Sequence, residues 1–322
     1  MKFSPFNFQV PLAAGGITLM AFNWLQFAVP HGQGSVKITD IRWAELTTVQ
    51  SGLYGLLVGI MLVLAIANVL LTIVLLKDLA RWLRAGQGYK EFMSGPPSRI
   101  TGIFVPVASL AMTIAVLLAA LPFFIPAVSA NIQALMIPGL IIFGLLWLTI
   151  FTLESRVLRS WMGRPLDATG LNFVWLLDVF AFGLVALSGT GLASLASNRG
   201  IASIAALASL LVLVVGTSLL AVKAVFLIRV QLRSRTMPEN QLKPAFFLLV
   251  PITCLYGISY YRLMLYLQKW FGLDMKVPSH YLITLSYIVA MAWVIFSIYL
   301  LRGYFRRYFR TSEYFPTQWA LV

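Results

Sequence analysis

Residues 171–195 read LNFVWLLDVFAFGLVALSGTGLASL, a run with one acidic residue, Asp178, and no basic one. About 20 apolar residues is the length at which an α-helix crosses the hydrocarbon core, because lipid offers no partner to exposed backbone N–H and C=O groups. Working outward from this run, the same criterion finds seven more, roughly at 8–29, 52–77, 100–126, 130–153, 200–228, 244–268 and 281–302. None is long enough to hide two crossings. The chain has 322 residues, 60% hydrophobic and 11% charged. Water-soluble domains sit near one half apolar and about a quarter charged, which excludes a soluble enzyme. The sequence predicts an all-α polytopic membrane protein with about eight transmembrane helices in a single domain over 1–322. The first run follows only Lys2 and a few polar residues, is too long for a signal-peptide core, and ends in Val29-Pro30-His31 without a small-residue cleavage site. It reads as a retained helix.

The net charge of +14 comes from 24 Lys and Arg against 10 Asp and Glu. Basic residues near span ends favour the cytoplasm. Seventeen of the 24 lie at the N-terminus, in the connections that follow even-numbered spans, or after the last span. They include Lys77, Arg81 and Arg84; Arg156, Arg159 and Arg164; Arg229, Arg233 and Arg235; and Arg302 to Arg310. Five lie in the opposite loops, and Lys223 and Arg262 lie within spans. The expectation is a multi-pass protein of a bacterial inner membrane with both termini cytoplasmic. Its basic tails would touch anionic lipid head groups rather than nucleic acid.

The tails recur. Arg84, Arg159, Arg235 and Arg310 are spaced by 75, 76 and 75 residues. In the odd-numbered spans Pro11, Pro106, Asp178 and Pro251 occupy similar depths, followed by the small residues Ala14, Ser109, Ala181 and Cys254, and then by Gly16, Ala111, Gly183 and Gly257. Such periodicity indicates four helical hairpins, approximately 1–90, 91–165, 166–240 and 241–322. Small residues after a helix breaker permit close backbone approach or leave open space beside a kink. Kinked odd helices are therefore expected as an inner layer, and leucine-rich even helices as an apolar outer layer.

A ring of hairpins with kinked inner helices resembles the tellurite-resistance/dicarboxylate transporter superfamily, which includes TehA-like proteins and slow-type anion channels. That resemblance implies inner helices around a pore closed by an aromatic side chain, and a trimer. The superfamily has ten spans, whereas eight are counted here. The segment Leu12-Ala13-Ala14-Gly15-Gly16 with Phe27-Ala28-Val29-Pro30-His31-Gly32 is similar to the first helix of the TsoY-type membrane (seleno)protein family. In that family a selenocysteine can stand for a cysteine.

Several residues could carry chemistry. Asp178 is read as the one acid deep inside a span, and an intramembrane acid is costly unless paired, solvated or neutralised. Lys223 returns to a similar depth on the next span. The two readings are a proton-linked or ion-coordinating carboxylate on a transport path, and a buried pair that fixes the hairpin. Arg262 lies toward the outer face, too far for direct pairing with Asp178. It either draws anions into a vestibule or snorkels in an aromatic belt. Cys254 is the only cysteine, so no intramolecular disulfide can form; it reads as a packing residue or as a thiol facing an axial space. Phe104, Phe180, Phe182, Phe247 and Tyr256 lie near the breakers and are candidate gates, since an apolar constriction excludes water. Half-helix N-termini at Pro11, Pro106 and Pro251 would favour an anionic guest.

Other chemistries lack their residues. The histidines, His31 and His280, both fall at outer span ends, which disfavours bis-histidine haem, and two histidines with one cysteine are too few for a zinc or cluster site. No cofactor or metal is expected. No phosphate loop follows Ala85-Gly86-Gln87-Gly88, and the acids and histidines lie largely on opposite sides, against a Ser-His-Asp hydrolase. The expectation is a channel or transporter for a small anion or weak acid. A membrane redox factor using Cys254 and a membrane partner subunit without a pathway are the alternatives.

Overall fold

The computed structural model describes residues 3–32, 34–162, 171–234, 237–309 and 316–321. Lys2, Arg164, Arg235 and Arg310, used above as charge or repeat markers, lie outside the described residues. Among the described residues, eight helices are long and apolar enough to cross a membrane. They are α1 (Gln9–Ala28), α2 (Thr48–Ala85), α3 (Val105–Phe124), α4 (Met136–Met162), α5 (Leu177–Leu195), α6 (Arg199–Ser234), α7 (Leu249–Phe271) and α8 (Lys276–Leu300). No β-strand occurs among the described residues.

The even helices form the outer layer. On α4 the exposed residues Ile137, Ile141, Leu145 and Leu148 recur at helical spacing and make one apolar stripe. Leu56, Val63 and Leu70 do the same on α2. With 38 residues α2 extends about 57 Å at 1.5 Å per residue, well beyond a hydrocarbon core of about 30 Å. Its far end carries Lys77, Arg81 and Arg84 into the polar region. A capping box of Thr47 and Gln50 starts this helix, and Gly86, with φ of 69°, stops it in a conformation that side-chain-bearing residues avoid.

The odd helices are inner. Every residue from 171 to 193 is buried, so α5 is enclosed along nearly its whole length. Each odd helix is entered through a 3-10 segment: Pro5–Phe8 before α1, Thr101–Phe104 before α3, Phe173–Leu176 before α5 and Asn240–Leu248 before α7. The structure thereby revises the place of the prolines. Pro11, Pro106 and Pro251 stand in the first turn of their α-helices, where the missing N–H would lack an intrahelical acceptor anyway. The backbone passes from 3-10 to α form just before them.

The inner helices follow one another in space as in sequence: α1 packs on α3, α3 on α5 and α5 on α7. α1 does not pack along α7; the C-terminal turn Pro316–Leu321 packs on α1 and on Asn240–Leu248 and bridges the gap at the helix entrances. Among the outer helices α2, α6 and α8 each pack on the helix that precedes them, whereas α4 packs chiefly on α5, which follows it. Small residues allow the closest approaches. A Cβ added at Gly189 would come 2.1 Å from Ser209 Oγ and 2.4 Å from Phe143 Cζ, so α4 and α6 both meet the bare backbone of α5.

Candidate functional site

Two features stand out inside the helical arc: a buried charged cluster on the side of α4, α5 and α6, and a cavity on the side of α1 and α7.

Asp178 is the second residue of α5 and fully buried, in a first turn where the helix dipole favours a negative charge. Lys223 of α6, also buried, forms an ion pair with Asp178 Oδ2. Its Nζ also donates to the carbonyl oxygen of Trp175 at 2.9 Å. The ammonium lies 4.8 Å from the ring centre of Trp161 and 4.6 Å from that of Trp175, so two indole faces complete its shell. A second acid belongs to this cluster. Glu154 of α4 is 3% exposed, lies within electrostatic reach of Asp178 and Lys223, and neither carboxyl oxygen has a hydrogen-bond partner. The reading of Asp178 as the one deep acid is thus corrected. The fourth apolar run was drawn to residue 153, one short of Glu154, because a scan for apolar residues stops at the first charge. The helix continues to Met162, and packing on α5 and α6 buries the carboxyl.

The cavity, of about 960 Å³, lies among the first turns of α1, α5 and α7, with Met112 of α3 and Val294 of α8 in its wall. Among the described residues its lining holds Arg99 and no acidic residue. The polar lining residues Ser4, Asn7, Gln9, Ser98, Arg99, Gln241 and Thr317 all belong to the segments at the helix entrances or to the C-terminal turn Pro316–Leu321. The deeper lining, which includes Gly16, Met112, Phe180 and Leu255, is apolar. These residues sit three to seven positions into their helices, or up to about 10 Å beyond the helix starts.

The structure separates the residues singled out from the sequence. Pro251, Phe180 and Phe247 line the cavity. Asp178, Lys223, Cys254, Pro11, Pro106, Phe104, Phe182 and Tyr256 are not in that lining. Phe104 and Phe182 are fully buried in the core, Phe182 against Phe151 with ring centres 5.5 Å apart. Tyr256 donates its hydroxyl hydrogen to the carbonyl oxygen of Val179 at 3.0 Å and so ties α7 to α5. Cys254 is a half-buried free thiol on α7. Arg262, about 10 Å beyond Leu255 along α7 at 1.5 Å per residue, is half-buried. Its Nη1 donates to the carbonyl oxygen of Leu187 at 3.2 Å. Neither Arg99 nor Arg262 forms an ion pair among the described residues. No group of three or more His, Cys, Asp or Glu that could hold a metal occurs among the described residues.

No protein-family model, curated protein or solved structure matches the chain.

Proposed function

We propose that this chain is a membrane channel or transporter for a small anion or weak acid, with the cavity between α1, α3, α5 and α7 as one vestibule of its path. The observation that carries the reading is the charge of the inner layer: among the described residues the cavity is lined by Arg99 without an acid, and Arg262 lies farther along α7 without a carboxylate partner. The starts of α1, α5 and α7 line the same space, and their dipoles add positive potential there. Phe180 and Phe247, which line the cavity, are the candidate gate. The Asp178 and Lys223 pair, enclosed away from the cavity, serves as a clamp between α5 and α6.

The wider reading places the protein in a bacterial inner membrane, with both termini cytoplasmic and the basic tails on anionic head groups. The recurring 3-10 entrances, separated by 72 residues between α3 and α5 and again between α5 and α7, support descent from one repeated unit. Layering of inner on outer helices is what the TehA-like resemblance implies, and a homotrimer would follow from it. Ion flux from liposomes holding the purified protein tests the proposal, with chloride, nitrate, sulfite and dicarboxylates as substrates. Flux of at least one anion above protein-free liposomes is expected; none for any of them across a range of pH overturns the reading.

A further inference from the structure

The cavity is graded. At the helix entrances its wall offers Arg99, Ser98, Gln9 and other polar groups, and two turns deeper it is apolar, ending around Met112, Leu255 and Val294. A simple inorganic anion uses the first part of such a wall and gains nothing from the second, because burying an ion against hydrocarbon costs free energy. An amphiphile uses both. We propose that the cavity binds a single-chain carboxylic acid, with its head group at the helix entrances and its hydrocarbon tail directed toward the middle of the membrane. This deepens the transport reading above, since it names the substrate class of the same site.

Further observations fit that ligand. Arg99, exposed at the mouth, can donate to an ionised carboxylate, and among the described residues no lining acid competes for it. At the deep end the space is empty rather than filled by neighbouring side chains: a Cβ added at Gly16 would meet nothing within 4 Å. The adjacent Gly15, by contrast, faces Met112 of α3 and Asn68 of α2 closely. The C-terminal turn Pro316–Leu321 bridges α1 and the segment before α7 at the helix entrances and lines the cavity there, so a lateral route from the membrane would lie deeper than that turn. About 960 Å³ is at the upper end of the range for pockets that enclose drug-sized ligands, ample for one alkyl chain.

The test is photolabelling of the full chain in phosphatidylcholine nanodiscs with a dodecanoate that carries a terminal diazirine, followed by peptide mass spectrometry. Adducts are expected on Met112, Phe180, Leu255 or Val294. Unlabelled dodecanoate should compete for them about tenfold better than dodecanol, and Arg99→Gln should narrow that gap. Gly16→Leu places a side chain in open space, so it should preserve thermal stability while abolishing the adducts; Val294→Phe should reduce them from the opposite wall. Adducts confined to lipid-facing positions such as Leu145 and Leu207, equal competition by dodecanol, or labelling indifferent to both wall substitutions would overturn the inference. Labelling in the cavity without flux of any anion leaves the binding site standing and removes the transport reading, whereas flux without cavity labelling does the reverse.

Discussion

Lys223 and Asp178 neutralise each other where neither meets water, with the ammonium held between the rings of Trp161 and Trp175. Breaking such a pair leaves a buried charge uncompensated, at a cost of about 3–5 kcal/mol, while replacing both partners by apolar residues is often neutral. Asp178→Asn should therefore lower the unfolding temperature in detergent sharply, and Asp178→Leu with Lys223→Met should restore most of it. If the single variant proves as stable as the double, the clamp role is wrong. Anion flux by a stable double variant would separate the pair from the path.

Glu154 should respond in the opposite direction. Both of its oxygens are buried without hydrogen-bond partners, and an unsatisfied buried polar group costs about 1–3 kcal/mol, more when charged. Glu154→Met keeps the volume and removes the polar atoms, so a rise in thermal stability is expected. A loss of stability would show that the carboxyl has a partner the geometry does not reveal.

Gly189 and Gly144 make a controlled pair. A methyl at Gly189 runs into Ser209 and Phe143, whereas one at Gly144 meets nothing within 4 Å. Gly189→Ala should destabilise by about 1–3 kcal/mol through overpacking. Gly144→Ala should be neutral or slightly stabilising, because alanine favours the helix by up to about 1 kcal/mol. Parallel thermal melts of the two proteins decide the matter.

Arg262 contacts the protein through one hydrogen bond to the Leu187 carbonyl and no ion pair among the described residues, so Arg262→Gln should fold normally. Charges lining a cleft raise local counter-ion concentration and entry rates by about 10 to 1,000-fold. Flux through Arg262→Gln in liposomes should fall by at least about tenfold if anions pass this residue. Arg262→Lys should retain much of it, and full flux in the glutamine variant would place the path elsewhere.

Lys243, Arg302, Arg306 and Arg307 line a second cavity, of about 560 Å³, where α8 passes into the short helix Arg302–Arg307. No acid lines it. Basic pockets beside transmembrane helices bind anionic lipid head groups. Native mass spectrometry should show phosphatidylglycerol retained by the parent protein and lost on combined substitution of Arg302, Arg306 and Arg307 by Gln. The same change at Lys77, Arg81 and Arg84 should have less effect, since Arg81 already pairs with Asp78 and those residues line neither cavity.

The eight crossings and their inner and outer layers were legible because bilayer thickness acts on continuous stretches of sequence, and because burial separates residues such as Ala181 and Gly183 from Ile141 and Leu145. The pairing of Asp178 with Lys223 was also legible, from two lone charges at matching depth on adjacent spans. Glu154 was missed because its neighbours Arg156 and Arg159 make that end of α4 look like a solvated tail, and only contact with α5 and α6 buries it. The place of the prolines was obscured because Pro11, Pro106 and Pro251 look like breakers, whereas a proline in a first helical turn breaks nothing. The cavity left no local signature at all. Its wall is assembled from residues as distant as Gln9 and Leu321, and no window of sequence contains them together.

The gap between α1 and α7 also bears on biogenesis. Chains are made from the N-terminus, and α1 is in the membrane long before the ribosome reaches α7. Until then the cavity-facing side of α1, with Gln9, Ala13 and Gly16, has no opposite wall. A chain interrupted before residue 249 would retain the Asp178 and Lys223 pair but lack the helix that completes the cavity wall. Completion of the cavity is therefore among the last events in folding.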